Sequence, residues 1–348
     1  MPIQARRIFR LSLSVALALA CAYAMQLPLP FLAPLFAFLL FTKPGPPMGV
    51  KGLFGLILVV VIALGLGLLL IPILLEYPLA AVLLVALGLY LSFYVTVNMG
   101  KALLGTLLTI GFTLISAAGL VSYPLATTVI QSLVAGIGVA VVCHWMVYPW
   151  FPEDPAPSGP AAAAKPDAGK SNWIALRATL IVLPAYLLAL TNPSMYLAII
   201  MKTVSLSQQS TLVDAHSAGR ELLGSTFLGG CFAVLFWGML GISTNLWMFF
   251  WLMLLFGVYF SSKIYGLLRS RFPASFWMNT AITMLILLGP AVEDSDNGKD
   301  VYTAFLVRMG LFVAVTLYAW FAVYALEHLR ERRRPKFPRL NEARSPTG

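Results

Sequence analysis

The sequence contains few of the residues that metal and redox sites use. It has three histidines and three cysteines in 348 residues, and the histidines lie far apart. Cys21, Cys143 and Cys231 each lie inside an apolar run, where a cysteine acts as a small hydrophobic residue. The spacing of a metal centre or of a disulfide framework is missing, so neither is predicted.

Motifs for nucleotide binding and hydrolysis are missing as well. The sequence has no G-x4-G-K-[ST] run, no H-E-x-x-H pair and no nucleophile elbow. We therefore predict a protein that is not an enzyme, has no cofactor and does not use ATP directly.

Charged residues are scarce, at 10% of the chain, while 60% of the residues are hydrophobic. The mean hydropathy is +0.88, and several apolar runs reach the roughly 20 residues that cross a hydrocarbon core of about 30 Å. A backbone in lipid must satisfy its own hydrogen bonds. The sequence therefore predicts an all-α, polytopic membrane protein whose main partner is the lipid bilayer.

About twelve apolar segments are expected, in two series of six. The first series covers residues 1–150 and the second covers residues 172–328, with a Pro/Ala/Gly-rich linker at 151–171 and a basic tail at 329–348. The second segment of each series is short and broken by proline. The first apolar run, 11–25, is predicted to be a retained helix because its basic-then-apolar pattern recurs internally after Arg177.

Matching residues in the two series predict an internal repeat. Arg10 matches Arg177, Lys51-x3-Gly55 matches Arg220-x3-Gly224, and Tyr90 matches Tyr259, all at a nearly constant offset along the chain. Because six is even, the two repeats are expected to have the same orientation and to be related by an axis along the membrane normal.

Positive charge is placed unevenly around the segments. All but two of the 23 lysines and arginines fall on the side of the N-terminus, and the exceptions are Lys299 and Arg308. The positive-inside rule then predicts that both termini are cytoplasmic. This orientation explains the net charge of +10 without a nucleic-acid partner.

The short segments, 28–51 and 192–220, are the best sequence indication of a binding site. Interrupted helices in matching places of two repeats often hold a transporter's substrate, and helix ends favour anions. Lys43, Lys202 and Arg220 lie there and indicate an anionic ligand. The alternative is that these cations only anchor a cytoplasmic loop. Tyr90 and Tyr259 are expected to face the interior and to contribute aromatic contacts.

Three further residues are candidates for coupling or charge compensation. Asp214 and His216 either form a proton-coupling pair or lie in a solvated turn. Arg308 either pairs with Asp300 or Glu293 or faces a central cavity. The glycines and hydroxyl residues of 224–230 are expected to pack helices closely rather than to hold a ligand.

These motifs resemble the fusaric-acid-resistance superfamily, which includes aromatic carboxylic acid exporters. The resemblance rests on the basic residue that opens each first helix, the short second segment and the R-x3-G-[ST]-x-x-G pattern of Arg220, Gly224, Ser225 and Gly229. In the first repeat only Lys51 and Gly55 match this pattern. Many members of the superfamily also carry a large cytoplasmic domain where this chain has only the short linker 151–171, which is similar to a compact, uncharacterised branch.

The resemblance implies a bacterial inner-membrane protein that exports small, often aromatic, organic acids with a periplasmic adaptor of the membrane-fusion type. Our leading hypothesis is therefore a proton-coupled secondary exporter. The alternatives are a passive anion channel and a membrane scaffold that transports nothing. An oligomer is compatible with each of the three hypotheses.

Overall fold

The structure is a computed structural model that describes residues 1–154, 168–210, 215–296, 298 and 300–333. Within these residues all regular elements are helical, with thirteen α-helices. We call α1 to α7 the first half and α8 to α13 the second half. The first half comprises α1 (Ile3–Ala24), α2 (Leu32–Phe41), α3 (Val50–Glu76), α4 (Pro78–Asn98), α5 (Ala102–Ile110), α6 (Ser116–Val121) and α7 (Tyr123–Val147). The second half comprises α8 (Ala168–Thr191), α9 (Pro193–Ser210), α10 (Ala215–Leu240), α11 (Leu246–Ile264), α12 (Ala274–Asp296) and α13 (Val301–Arg333).

Ten candidate membrane spans are present in the described part of the chain. They comprise α1, α3, α4, α7, α8, α10, α11, α12, α13 and the continuous run Ala102–Val121 that contains α5 and α6. The predictions of an all-α protein with many membrane-spanning segments are therefore confirmed. Helix α2, with 10 residues, is too short to span unaided.

Local sequence signals set the helix boundaries. Prolines begin α4 and α9, where a missing backbone N–H costs no helical hydrogen bond. The Ser122 hydroxyl caps α7 by accepting from the N–H of Leu125 at 3.2 Å, and the Asn245 amide oxygen caps α11 by accepting from the N–H of Met248 at 2.7 Å. Single residues, Tyr77 and Ser122, connect α3 to α4 and α6 to α7, and each of these pairs of helices packs as neighbours.

The run Ala102–Val121 contains a π-helical turn, Gly111–Ile115, between α5 and α6. This turn packs against α3, where a Cβ added at Gly67 would overlap the carbonyl oxygen of Gly111. Two glycines therefore allow the backbones of α3 and the π-turn to touch. Ser116 follows the turn, and its Oγ lies 3.0 Å from the hydroxyl of Tyr186 on α8.

The two halves pack through matching pairs of helices. Helix α1 packs on α11, and α4 packs on α8. Within the halves, α2 packs on α1 and α7, while α9 packs on α8 and α13. Helix α12 is the most deeply buried of the candidate spans and also contacts α2 and α9. The outer faces of α3 and α4 expose leucines such as Leu58, Leu69 and Leu83, as a lipid-facing surface requires.

Candidate functional site

Lys202 is fully buried halfway along α9. Its side chain is 0% exposed, and its Nζ donates a hydrogen bond of 2.6 Å to the hydroxyl of Thr283 on α12. Among the residues whose side chains the structure describes, no carboxylate forms an ion pair with it. The charge pattern predicts Lys202 among the cations on the side of the N-terminus, but the structure places it inside the bundle.

Polar side chains of α10 and α12 continue from the lysine. The Thr283 hydroxyl donates to the backbone oxygen of Asn279 at 2.6 Å. The Asn279 side-chain amide donates to Ser225 at 2.6 Å, and its oxygen lies 3.4 Å from the hydroxyl of Ser205. Ser225 in turn donates to the carbonyl of Glu221 at 2.5 Å. These side chains form one connected polar cluster, which we call the Lys202 cluster.

Glycine makes the close approach of α10 and α12 at this cluster feasible. A Cβ added at Gly229 would lie 2.7 Å from the Cβ of Thr283 and 2.8 Å from the carbonyl oxygen of Thr280. At Gly224 the added atom would lie 3.1 Å from the ring of Phe276. These glycines therefore bring helices together, which is the packing role that the sequence predicts for residues 224–230.

A lysine buried among membrane helices is costly unless charge or hydrogen bonds compensate for it. An ammonium group has three donors, and the described contacts use one of them, to Thr283. Ionisable residues in such positions are typical of substrate and ion pathways. The Lys202 cluster is therefore the strongest candidate site in the described part of the molecule.

The corresponding region of the first half is apolar. Helix α2 has the sequence LAPLFAFLLF and carries no charged residue. Thr109 and Thr113 are buried on α5 and the π-turn, but their hydroxyls donate to carbonyls of their own helix, Gly105 at 2.8 Å and Thr109 at 2.6 Å. These hydroxyls are therefore satisfied within their own helical run.

Three of the predicted binding residues lie outside the Lys202 cluster. Lys43 is exposed in the loop after α2. Tyr90 is half-buried on α4, with its ring centroid 6.4 Å from that of Tyr94. Tyr259 is half-buried on α11 in an aromatic group, with its ring 5.8 Å from that of Trp277. The structure therefore distributes these residues over several parts of the bundle.

Arg308 pairs with Asp294, at 2.6 Å between Nη1 and Oδ2. The partner is thus the residue next to Glu293, and this contact joins α12 to α13. Asp300, the other expected partner, instead accepts hydrogen bonds from Thr303 and, at 3.1 Å, from the N–H of Tyr302. The hydrogen bond from Thr303 lowers the pKa of Asp300.

The remaining predicted residues fall in a part of the chain that the structure describes only partly. His216 and Arg220 are helical positions in the first turns of α10, but their side chains lie outside the described residues. Asp214 lies outside the described residues altogether. The proton-coupling role of Asp214 and His216, and the binding role of Arg220, stay predictions.

Two glutamates that the sequence motifs do not single out hold buried arginines. Glu153 pairs with Arg10 at 2.5 Å and also with Arg7, while Glu327 pairs with Arg177 at 2.7 Å. Burial alone would raise the pKa of Glu153, but the hydrogen bonds from Arg7 and Arg10 outweigh it and lower this pKa. The available sequence signal is the matched pair Arg10 and Arg177, because each is an arginine in an apolar helix.

Asn279 and Thr283 are also missing from the predicted site residues. Both are polar residues inside a predicted apolar span, spaced one helical turn apart, and that spacing places them on one face of α12. The sequence does not show that this face meets α9.

Comparison with protein-family models gives a match over the first half of the chain. A family model described as "Protein of unknown function (DUF2955)" matches residues 7–147, from the first turns of α1 to the end of α7. Neither a curated protein nor a solved structure matches the chain. Over its first half, the chain is therefore similar to an uncharacterised family, and the Lys202 cluster lies outside the matched residues.

Proposed function

We propose that the protein is a membrane transporter for small organic anions and that Lys202 lies in its substrate site. The observation that carries the proposal is a fully buried ammonium group hydrogen-bonded to Thr283 between membrane helices. A bound carboxylate would compensate this charge and use donors that the described contacts leave over. The Asn279 amide and the Ser205 hydroxyl would supply further polar contacts to the ligand.

Two six-segment repeats of the same orientation are part of the proposal. In support, α1 packs on α11 and α4 packs on α8, so the first segment of each half meets the fourth segment of the other. The ion pairs agree with this arrangement. Arg10 of the first helix pairs with Glu153 after the sixth segment, and Arg177 pairs with Glu327 near the end of the last helix. An axis along the membrane normal would relate such pairs.

The direction and the energy source rest on the resemblance and on charge placement. We propose export of aromatic acids across a bacterial inner membrane, with both termini in the cytoplasm, a periplasmic adaptor as partner and coupling to the proton gradient. Asp214 and His216 remain the candidates for coupling. The cations Arg6, Arg7 and Arg10 at the start of α1 support a cytoplasmic N-terminus.

A flux measurement tests the proposal. Cells with and without the protein would be loaded with radiolabelled benzoate, and efflux would be followed with and without a protonophore. We expect protein-dependent efflux that the protonophore stops and that Lys202→Met abolishes at an unchanged membrane level. A matched control is Leu35→Met on α2, because Leu35 is also buried in the second helix of its half but carries no charge.

Three other outcomes of the flux measurement would each contradict a different part of the proposal. Flux that persists without the proton gradient but still requires Lys202 would indicate a passive anion channel. Flux that does not change on Lys202→Met would remove the Lys202 cluster from the substrate path. Absence of protein-dependent flux for a panel of aromatic acids, tested with co-expressed adaptors, would favour a scaffold that transports nothing.

A further inference from the structure

A polar cavity lies in the first half, at the end of the bundle where α1 begins and where α2 and α7 end. Its volume is about 330 Å³, within the range of ligand pockets. Two cations, Arg10 and Lys43, line it together with the ring of His144 and apolar residues. The apolar lining consists of Leu40, Phe41, Pro46, Pro47 and Met48. The cavity therefore combines positive charge with an apolar wall.

Hydrogen bonds from neighbouring helices hold the loop that forms one side of this cavity. The Trp145 indole donates to the carbonyl of Met48 at 2.6 Å, and the Tyr265 hydroxyl donates to the carbonyl of Thr42 at 2.8 Å. Burial raises the pKa of Tyr265 to about 12, so its hydroxyl stays protonated and keeps donating. The loop 42–48 is thus tied at both ends.

The floor of the cavity is ordered by packing. The His144 ring stacks on Phe41 with centroids 3.8 Å apart and an angle of 4° between the rings. Ser14 Oγ lies 3.2 Å from Nδ1 of His144, so the ring is held from α1 as well. This flat floor suits a planar ligand, because an aromatic ring offers a large contact area to another ring at a low entropy cost.

The charges around the cavity do not cancel. Glu153 is shared between Arg7 and Arg10, so one carboxylate faces two guanidinium groups and leaves a net positive charge. Arg6 is paired separately with Asp154 at 2.8 Å. Lys43 adds a further positive charge and forms no ion pair with a described residue. An anion in the cavity would be attracted by this excess charge.

We propose that this cavity binds a small planar carboxylate, with its carboxylate toward Lys43 and Arg10 and its apolar body toward Phe41 and Met48. The inference rests on the proposed function, because the cavity would serve as a loading site for the same class of substrate. It is distinct from the Lys202 cluster, which lies between helices of the second half. The protein would then hold two anion sites.

Equilibrium binding of radiolabelled benzoate to the purified full chain in phosphatidylcholine nanodiscs tests this inference. We expect Lys43→Gln to weaken the binding at this site about tenfold, as the loss of one charge-assisted contact predicts. The matched control is Lys101→Gln, since Lys101 is an exposed lysine at the junction of α4 and α5 and does not line the cavity. This control should change the affinity less than twofold.

A second variant tests the cavity by its volume and leaves its charged residues unchanged. Met48→Trp would fill the cavity from its loop, while the hydrogen bond to Trp145 uses only the Met48 backbone and is retained. We expect it to abolish binding at this site without lowering the thermal stability. In the Lys202→Met background, binding that survives both Lys43→Gln and Met48→Trp would overturn the inference, as would equal losses in Lys43→Gln and Lys101→Gln.

Two further measurements distinguish this inference from the proposed transport function and from binding of a lipid headgroup. In the Lys202→Met background, benzoate binding that still depends on Lys43 would uphold the cavity even if no transport is found, whereas transport without Lys43-dependent binding would refute the cavity alone. Adding phosphatidylglycerol tests a lipid phosphate as the ligand. Tight competition by this lipid that benzoate cannot reverse would assign the cavity to a lipid and overturn the inference.

Discussion

Helices α2 and α9 are the second helices of their halves, and they differ most in the polar groups that they bury. Helix α2 buries only apolar side chains, whereas α9 buries Lys202, Thr203 and Ser207. Both helices nevertheless pack against the first and last helices of their own half. A buried lysine is therefore not needed to build this arrangement. A second helix can thus pack between the first and last helices of its half with either apolar or polar buried side chains. We therefore infer that Lys202 serves function and not the assembly of the fold.

The helices that follow, α3 and α10, extend the same contrast. A Cβ added at Gly55 of α3 meets no atom within 4 Å, while one added at Gly229 of α10 meets Thr283 and Thr280. Glycine is thus required at Gly229 and replaceable at Gly55, although Gly67 of α3 is also needed for contact, with the π-turn. The two halves share an order of helices but not a binding interior.

The largest effect is expected at Lys202, the buried charge that distinguishes α9 from α2. Lys202→Met should lower transport of benzoate at least about tenfold, because a hydrogen bond to a charged group contributes about 1.5–3 kcal/mol. The thermal midpoint should stay level or rise, since replacing a buried charge by an apolar side chain of similar size is often neutral or stabilising. Transport assays on reconstituted vesicles and thermal unfolding of the same preparations would check both expectations.

The control for that experiment is Leu35→Met in α2, which should leave transport and stability close to the parent. A large drop in the thermal midpoint of Lys202→Met would contradict a functional role and indicate that the lysine stabilises the fold.

The glycine contrast should appear as opposite signs in stability. Gly229→Ala is expected to destabilise the protein by about 1–3 kcal/mol, because an overpacked helix contact must separate. Gly55→Ala should stabilise α3 by up to about 1 kcal/mol, since alanine favours the helix and no atom obstructs it. Denaturant or thermal unfolding in detergent would measure both, and equal losses for the two variants would show that the halves pack more similarly than described.

Removing one buried hydroxyl from each half tests whether only the second half uses hydroxyls to hold a charged group. Thr283→Val removes the described acceptor of Lys202 and should cost about 1–3 kcal/mol, because a buried donor loses its partner. Thr113→Val removes a hydroxyl that donates only to its own helix at Thr109, so its cost should be well below that of Thr283→Val. Thermal unfolding of the two variants would measure both losses of stability. A cost at Thr113 that equals the cost at Thr283 would refute the assigned difference.

The smallest effect concerns the ion pair of the first half at acid pH. The pKa of Glu153 is lowered in the fold, so its stabilisation is present above the ordinary glutamate value, about 4.3, and is lost as the pH falls toward the folded-state value. Glu153→Gln should therefore lower the thermal midpoint at pH 6 and approach the parent near pH 3.

Glu76→Gln is the control for the acid experiment, because Glu76 is exposed at the end of α3. It should change the thermal midpoint little at either pH. A gap between Glu153→Gln and the parent that widens on acidification would reverse the sign of the argument.

Much of the architecture was predictable because hydropathy reports membrane burial directly. The apolar runs predicted the spans, and the breaks at proline predicted the short helix α2. The expectation of an equally short second helix in the second half is wrong, because α9 extends over 18 residues. The boundary of the last series was less predictable, since α13 continues to Arg333 through charged residues such as Arg330. Charged side chains do not end a helix once it leaves the apolar layer.

The site was only partly predictable from the sequence. Lys202 was chosen for its charge, but Thr283 and Asn279, which complete its cluster, come from a helix that lies much further along the chain. No periodicity within α9 or α12 specifies which of their faces meet. Arg308 was expected either to pair with Asp300 or Glu293 or to face a central cavity, and its pairing with Asp294 instead depends on the rotation of α13 against α12.

The π-turn at Gly111–Ile115 has a consequence for how the chain tolerates length changes. A π-turn holds one residue more than a regular helical turn, and one residue corresponds to a rotation of about 100° about the helix axis. The wider turn therefore absorbs the rotation that an extra residue would otherwise impose, so deleting one residue within it would give a uniform α-helix and leave Ser116 facing Tyr186. A chain one residue shorter at this turn would keep both the span and the hydrogen bond between the two halves.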